Sequence, residues 1–208
     1  MARRKSCKYP EQCTAMKTKL LLIGGGGHCR SLIDLIEADG SFDIGGILDT
    51  REQIGKKVLD YEIIGSNEDL ERLFGTFTHA LIAFGQIKSP DARIAMYERL
   101  NAIGYQTPTI ISPRAYVSKY SKIGNGTVIL HDALINANTA VGDNCIINTK
   151  ALIEHDCTIG NHCHISTGAV INGGSIVKEG TFFGSNAVCK EAIIIEERSF
   201  IKAGSVAK

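Results

Sequence analysis

The stretch CIINTKALIEHDCTIGNHCHISTGAVINGG, residues 145–174, repeats one pattern every six residues. Each six-residue unit begins with alanine or cysteine and carries isoleucine at its third position, as at Ile147 and Ile153. A helix repeats about every 3.6 residues and a strand every two, so neither element explains a period of six. A hexapeptide repeat is typical of a parallel β-helix.

The same frame extends in both directions from this stretch. It runs through 15 units, and the third position from Val117 to Ile201 is Val or Ile in 13 of them, the exceptions being Phe183 and Cys189. The first position is Ala, Ser, Thr or Cys in every unit but one, where Ile193 stands. No inserted loop interrupts the frame, so the repeat predicts one continuous stack of coils.

These hexads resemble the left-handed parallel β-helix of hexapeptide-repeat acyltransferases. In that fold three hexads form one triangular coil, so the repeat implies a stack of five coils. The third-position aliphatic side chain points inward and the small first residue fits the inner corner. Each coil buries its apolar side only against its neighbours, which gives a continuous core. We therefore expect residues 112–208 to form a left-handed β-helix domain.

The chain before the repeat alternates short apolar runs with helical patterns, which predicts an α/β domain of Rossmann-like type over residues 17–111, with a parallel sheet and helices on both faces. Residues 1–16 are basic and lack the apolar core of a signal peptide, so we expect a disordered extension there. The expected strands are Lys19–Gly25, Phe42–Asp49, Tyr61–Ile64, His79–Gly85 and Gln106–Ile111, and the expected helices are His28–Ala38, Asn67–Phe74 (with an Asn cap) and Pro90–Ala102.

The composition argues against several classes of partner. The net charge is +1 and the sequence contains no tryptophan, so neither a basic stripe nor an aromatic platform for nucleic acid is expected. The apolar runs are too short to span a membrane. Seven cysteines in a chain without an export signal indicate reduced thiols, so we expect a cytoplasmic protein.

The segment 153–166 contains three histidines and two cysteines, which raises the question of a metal site. Cys157 and Cys163 are six residues apart, unlike the C-x₂₋₄-C spacing of zinc sites. In the hexad frame both occupy first positions, as does Cys145, so all three are expected to point inward as small apolar groups. We therefore expect no metal.

The frame places the histidines differently. His155 takes the fifth position, at a turn between faces, and His164 takes the second position, facing outward. Three hexads, or one full coil, after His155 comes Gly173, so Gly173 is expected beside His155 on the next coil. An imidazole base next to an approachable backbone N–H suits acyl transfer, which needs a base for the nucleophile and a donor for the oxyanion.

The whole chain from residue 17 to residue 208 resembles one branch of the hexapeptide acyltransferases. These are bacterial sugar acetyltransferases with an N-terminal Rossmann-like domain, including nucleotide-aminosugar N-acetyltransferases and sialic acid O-acetyltransferases. The motifs that carry the resemblance are LIGGGGHCRSLIDLIE at residues 22–37 and INTKALIEHDCTIGNHCHISTGAVINGG at residues 147–174.

This resemblance implies a role for five residues of the repeat. The general base is expected at His155, and the acid that polarises it at Asp156. Asn148 is expected near the acceptor and His164 at the acetyl-CoA thioester. The backbone donor to the acetyl carbonyl falls on Gly173, the residue that the three-hexad coil also selects.

The glycine-rich segment GGGGHCR, residues 24–30, follows a strand and opens a helix, so its N–H groups can surround a phosphate. It does not match the dinucleotide fingerprint, because G-x-G-x-x-G would need glycine at Cys29. An NAD site is therefore disfavoured. The resemblance instead implies that the nucleotide of a UDP- or GDP-linked sugar binds at Gly26, Gly27 and His28, with Asp49 as a weaker contact to ribose or base.

Together these features predict an acetyl-CoA-dependent N-acetyltransferase acting on the amino group of a nucleotide-linked aminosugar, in bacterial surface glycan or glycoprotein sugar biosynthesis. The alternative within the family is O-acetylation of a sialic-acid-type sugar, since the same groups would serve a hydroxyl. Two more distant alternatives are a trimeric zinc-dependent hydratase on the same β-helix and a catalytically silent nucleotide-sensing module. The resemblance also implies a homotrimer with its acetyl-CoA cleft between neighbouring β-helices.

Overall fold

The computed structural model describes residues 17–208, so the expected extension over residues 1–16 lies outside the described residues. The first half contains a five-stranded sheet with the order β3-β4-β2-β1-β5, parallel except for β3. This confirms the predicted α/β architecture. The strands are β1 (Thr18–Ile23), β2 (Phe42–Asp49), β3 (Lys57–Val58), β4 (Tyr61–Ser66) and β5 (His79–Ile82).

Helices cover both faces of this sheet. The side chains of β1 alternate between the two faces, so each face presents apolar groups that a helix can bury. Leu20 and Leu22 pack with the helix that follows the glycine loop, whereas Leu21 and Ile23 pack with the other two helices. The helices are α1 (Gly27–Asp39), α2 (Leu70–Leu73) and α3 (Asp91–Ile103), with short 3₁₀ turns at Arg51–Gln53 and Asn67–Asp69.

Two details of the α/β prediction were wrong. The expected helix begins as the 3₁₀ turn Asn67–Asp69, whose cap is Ser66 rather than Asn67, because the Ser66 hydroxyl accepts from Glu68 N–H while the Asp69 carboxylate accepts from Ser66 N–H. The expected last strand does not join the α/β sheet as a whole. Gln106 makes only a bridge to His79, and Ile110–Ile111 pairs with the β-helix instead. The β-helix therefore begins before residue 112.

The second half is a left-handed β-helix of two-residue strands, each hydrogen-bonded in parallel to the equivalent strand of the next coil, three hexads away. Its three sheets are called face 1, face 2 and face 3 in chain order. Face 1 comprises β6 (Ile110–Ile111), β9 (Val128–Ile129), β12 (Ile146–Ile147), β15 (His164–Ile165), β18 (Phe182–Phe183) and β21 (Phe200–Ile201). Face 2 comprises β7 (Tyr116–Val117), β10 (Leu134–Ile135), β13 (Leu152–Ile153), β16 (Val170–Ile171), β19 (Val188–Cys189) and β22 (Val206–Ala207). Face 3 comprises β8 (Lys122–Ile123), β11 (Ala140–Val141), β14 (Thr158–Ile159), β17 (Ile176–Val177) and β20 (Ile194–Ile195).

The sixth residue of the hexad makes the sharp turn between faces. It adopts a left-handed backbone, with φ of 60° at Asp156 and 57° at His162. Glycine, asparagine and aspartate tolerate this conformation best, which explains their frequency at the sixth position. The Asp156 side chain is therefore held at a corner rather than on a strand.

The interior of the β-helix is filled by first and third positions, as predicted. The core cluster contains the third-position residues Ile147 and Ile153 together with the first-position thiols of Cys145, Cys157 and Cys163, each at most 1% exposed. The prediction that these three cysteines are inward packing groups is confirmed.

The α/β domain packs on face 1. The outward side chains of Ile110, Val128 and Ile146 belong to the same buried cluster as Cys29 and Ile33 of α1. A polar contact marks the edge of this domain seam, where His131 Nε2 lies 2.8 Å from Asp34 Oδ2 of α1. Face 1 is thus covered at its N-terminal coils.

Candidate active site

His155 and Asp156 form a hydrogen-bonded pair at the corner that follows β13. His155 Nδ1 lies 2.7 Å from Asp156 Oδ2, and Asp156 Oδ1 accepts from Asn138 Nδ2 at 2.7 Å. The Asn138 amide and then His155 lower the pKa of Asp156 below its ordinary value, which keeps it a carboxylate. Because a carboxylate only accepts, Nδ1 of His155 is the donor and Nε2 is left with a free lone pair. The His155 side chain is 61% exposed, so a substrate can reach it.

Gly173 lies directly beside this imidazole on the next coil, as the coil length predicts. A Cβ at residue 173 would lie 2.9 Å from His155 Cε1 and 3.0 Å from Nε2, so only glycine leaves the ring in place. The neighbouring Gly174 N–H donates to His155 O at 2.9 Å, whereas Gly173 N–H makes no hydrogen bond within residues 17–208. The corner therefore combines a base with an unused N–H donor.

His164 and Asn148 form a second polar cluster, on face 1. Asn148 Nδ2 lies 3.2 Å from His164 Nε2, and His164 Nδ1 lies 2.6 Å from the backbone oxygen of Gln86 in the α/β domain. His164 faces away from the β-helix core, as expected, but the α/β domain covers it and leaves it only 7% exposed. Burial, together with the positive charge of Arg93, lowers the pKa of His164 to about 4, so its ring is neutral at pH 7.

One chain does not bring these two clusters together. His155 stands at the corner between face 2 and face 3, and in a triangular prism this corner lies opposite face 1, where His164 stands. The structure therefore brings His155 and Asp156 together with Gly173. It places Asn148 and His164, the residues predicted at the acceptor and the thioester, on the other side of the coil.

The glycine loop borders a cavity of about 730 Å³. Gly25 N–H donates to Asp49 Oδ2 at 2.7 Å, and Thr50 N–H donates to Asp49 Oδ1 at 2.7 Å, so Asp49 braces the loop. An exposed ion pair between Arg51 and Glu68 stands at the cavity. The lining residues include Gly24, Gly25, Gly26, Asp49, Thr50, Arg51, Ser66, Asn67 and Phe84. Two of the residues predicted for the nucleotide, Gly26 and Asp49, thus line this cavity.

The remaining two residues predicted for the nucleotide lie elsewhere. Gly27 is the first residue of α1, and His28 turns toward the domain seam rather than the cavity. Burial, and then the charges of Arg93 and His164, lower the pKa of His28 to about 3. Its Nε2 is buried and has no hydrogen-bond partner within residues 17–208. The glycine-loop histidine is therefore a neighbour of His164.

The sequence does not indicate which α/β-domain residues surround His28 and His164 at the domain seam. Arg93 is 1% exposed, with Nη1 donating to Phe84 O at 2.6 Å and Nη2 donating to Asn144 Oδ1 at 2.7 Å. An arginine on an amphipathic helix is ordinarily predicted to face solvent, so its burial depends on where the β-helix docks. Gln86 is 3% exposed, and its burial also depends on how the β-helix docks, so the sequence did not indicate it.

Within residues 17–208, no group of three or more His, Cys, Asp or Glu side chains is arranged to hold a metal ion. Burial raises the pKa of the Cys157 thiol. The thiols near His155 are therefore packing groups and not nucleophiles. Across residues 17–208, no helix has the length and apolar character needed to cross a membrane.

Comparison with known proteins agrees with both halves of the chain. Residues 19–100 match the PglD N-terminal domain family, and residues 138–173 match the bacterial transferase hexapeptide family of six repeats. A search of curated proteins gave no significant match.

Three solved structures cover almost the full length. The acetyltransferase domain of PglB from Neisseria gonorrhoeae FA1090 is 30% identical, with a TM-score of 0.84 and 92% of each chain covered. The same domain in complex with acetyl coenzyme A is 28% identical, with a TM-score of 0.81, covering 92% of this chain and 94% of that one. PerB from Caulobacter crescentus, in complex with CoA and GDP-perosamine, shares the fold at 22% identity, with a TM-score of 0.64 and coverages of 90% and 92%.

The α/β domain, the unbroken hexad helix and the near-complete coverage by a 30% identical acetyltransferase domain lead to one conclusion. The chain belongs to the acyltransferases of the hexapeptide-repeat superfamily that carry a PglD-type N-terminal domain.

Proposed function

We propose that this acyltransferase moves the acetyl group of acetyl-CoA to the amino group of a UDP- or GDP-linked aminosugar, for bacterial surface glycan or glycoprotein sugar biosynthesis. The observation that carries the proposal is the 2.7 Å pair of His155 and Asp156 beside the unused N–H of Gly173. The solved relatives include an acetyltransferase domain in complex with acetyl coenzyme A and a protein in complex with CoA and GDP-perosamine.

The proposed reaction is a direct transfer. The amine nitrogen attacks the thioester carbon, the C–S bond breaks, and an amide forms. Nε2 of His155 takes the proton that the amine loses, while Asp156 stabilises the imidazolium through Nδ1. The N–H of Gly173 stabilises the oxyanion. The CoA sulfur leaves as the thiol with the proton that His155 took from the amine, which returns His155 to its neutral form. No covalent acyl-enzyme is required.

The nucleotide is assigned to the cavity at the glycine loop. Backbone N–H groups at the start of α1 suit a diphosphate, and Gly26 has open space where a side chain would otherwise intrude. Asp49 is already engaged by two N–H groups, so it orders the loop and contacts the ligand only with its remaining lone pairs. His28 is not assigned to this site, because its imidazole lies at the domain seam and does not line the cavity.

A homotrimer would complete the site. Because His155 lies at the corner opposite face 1, a neighbouring chain must supply the His164 side for one acetyl-CoA to contact both. Repeating one such head-to-tail contact around a threefold axis closes a ring. Face 2 is suited to this contact, because its outward row is entirely apolar: Tyr116, Leu134, Leu152, Val170, Val188 and Val206. His155 directly follows this row.

The expected compartment is the cytoplasm. Five cysteines within residues 17–208 are free and buried, in keeping with a reducing compartment.

The test is acetyl transfer from acetyl-CoA to a panel of UDP- and GDP-linked aminosugars, followed by mass spectrometry. A product heavier by one acetyl group at the amine supports the proposal, and acetylation of sialic-acid hydroxyls alone contradicts it. His155→Ala should lower turnover by roughly 10²–10⁴-fold, the range for loss of a general base, without unfolding the exposed corner. Turnover like that of the wild type would remove His155 from the mechanism.

A further inference from the structure

Gln86 connects the two domains at the edge of face 1. It lies in the loop between β5 and α3 and is 3% exposed. Its side-chain Nε2 donates to His162 O at 2.9 Å and to Gly180 O at 3.4 Å, two carbonyls on successive coils. The amide therefore anchors the loop to the β-helix at a corner next to β15.

The same residue also contacts His164 through its backbone. The Gln86 carbonyl oxygen lies 2.6 Å from His164 Nδ1. A carbonyl only accepts, so Nδ1 carries the hydrogen and Nε2 of the neutral ring presents a lone pair. Asn148 Nδ2, 3.2 Å from Nε2, is then the donor to that lone pair. The alternative tautomer would place an Nε2–H against the Asn148 amide hydrogens and a lone pair against the Gln86 carbonyl.

Two groups select the same tautomer. Thr149 N–H donates to Asn148 Oδ1 at 2.8 Å, which directs Asn148 Nδ2 at His164 Nε2, and the Gln86 carbonyl accepts from Nδ1–H over the shorter distance of 2.6 Å. The ring of His164 meets the Phe182 ring edge-on, with centroids 5.2 Å apart, and neither Arg93 nor His28 hydrogen-bonds to His164. The tautomer of His164 thus depends chiefly on where the Gln86 carbonyl is held.

We propose that Gln86 is a positioning residue of the acetyl-transfer site: its side-chain amide fixes the loop, so that its carbonyl holds His164 in the Nδ1–H form with Nε2 directed at Asn148. The proposal rests on the proposed function in placing His164 at the thioester. The sequence offered no reason to select this residue, since Gln86 lies outside both recognised motifs.

A second link across the seam provides a matched control. Asn144 joins the β-helix to the α/β domain through Arg93 and also donates to His162 Nδ1 at 2.9 Å, but it does not contact His164. Asn144 has a left-handed backbone with φ of 52°, which glycine adopts readily, so Asn144→Gly removes the link with little backbone strain. This variant loosens the seam and spares the Gln86 carbonyl.

The first measurement is the tautomer of His164, by long-range ¹H–¹⁵N correlation on the labelled full-length protein, with His164→Asn identifying the signal. We expect a protonated Nδ1 and an unprotonated Nε2 in the wild type and in Asn144→Gly. Gln86→Met keeps the side-chain length and removes both donated hydrogen bonds, so it should give a mixture of tautomers. An Nε2–H form in the wild type, or the wild-type signal in Gln86→Met, would overturn the proposal.

The second measurement separates positioning from stability. Gln86→Met should lower kcat/KM for acetyl-CoA by roughly tenfold, within the 10²-fold that a 1 Å misplacement costs, and leave the KM for the nucleotide-sugar nearly unchanged. Asn144→Gly should lower the melting temperature and leave kcat/KM nearly unchanged. If Gln86→Met and Asn144→Gly lose kcat/KM for acetyl-CoA equally, loosening the seam alone explains the loss, and Gln86 has no positioning role. If the wild type shows no acetyl transfer, the proposed function fails, and the tautomer measurement still decides the role of Gln86.

Discussion

Gly173 and His155 occupy equivalent corners of adjacent coils, three hexads apart in sequence, so that the imidazole rests against the place where a side chain at residue 173 would begin. This contact joins the proposed base to the proposed N–H donor on adjacent coils. It depends only on the coil length and on glycine at one position.

Gly173→Ala should reduce activity strongly without unfolding the protein. The new Cβ would lie 2.9–3.0 Å from the ring of His155, which is exposed and can swing away, so the base leaves its place while the coil is retained. We expect a loss of roughly 10²-fold in kcat, as for a misplaced catalytic group. Gly75→Ala is the control, because a Cβ there meets open space. Full activity of Gly173→Ala with a normal melting temperature would contradict the assignment.

Asp156→Asn should lower kcat, but by less than His155→Ala. The asparagine oxygen can still accept from Nδ1–H of His155, but it lacks the negative charge that stabilises the imidazolium formed during transfer. Asparagine tolerates the left-handed corner at φ 60°, which limits structural effects. The measurement is kcat for both variants and the wild type under identical conditions, and a wild-type kcat in Asp156→Asn would show that Asp156 does not act on His155.

Stability should fall in mild acid because His164 is buried neutral. Its pKa is about 4 in the folded chain against 6.5 in the unfolded chain. Below pH 6.5 the unfolded state binds the proton first, so the free energy of unfolding declines by about 1.4 kcal/mol per pH unit toward pH 4 and then levels off. His28, with a pKa of about 3, adds in the same direction. Urea titrations at pH 7.5 to 5.0 measure the slope, which His164→Asn should make shallower.

Leu152→Glu should prevent formation of the proposed trimer and abolish activity while leaving the chain folded. Leu152 points outward from the middle of face 2, so a carboxylate there would be buried unpaired between chains yet solvated in a monomer. Thr158→Glu, on exposed face 3, is the matched control and should remain trimeric. Light scattering should give about three times the 22.4 kDa chain mass for the control and one chain mass for Leu152→Glu. An active monomer would exclude a shared site.

The β-helix and its corner chemistry could be predicted because they depend on local period. A hexad fixes which side chain faces inward, and the three-hexad coil fixes which residues are stacked, so Cys145, Cys157 and Cys163 could be placed in the core. Gly173 could be placed beside His155 for the same reason, and both placements agree with the structure. The boundary was less accurate, because Ile110–Ile111 reads as a strand in either domain and only pairing with β9 assigns it.

Sequence alone is therefore sufficient for everything that repeats or lies close along the chain: the two domain types, the inward thiols, and the alignment of His155, Asp156 and Gly173. The docking of the α/β domain on face 1 emerges only in the folded chain. That docking buries Arg93 and brings the Gln86 carbonyl to His164, and the His28 side chain lies outside the cavity at the glycine loop. The contact between Gln86 and His164 joins residues 78 positions apart across a seam that no local period describes. The geometry of these contacts depends on how the α/β domain and face 1 pack against each other, which the sequence pattern of neither domain determines.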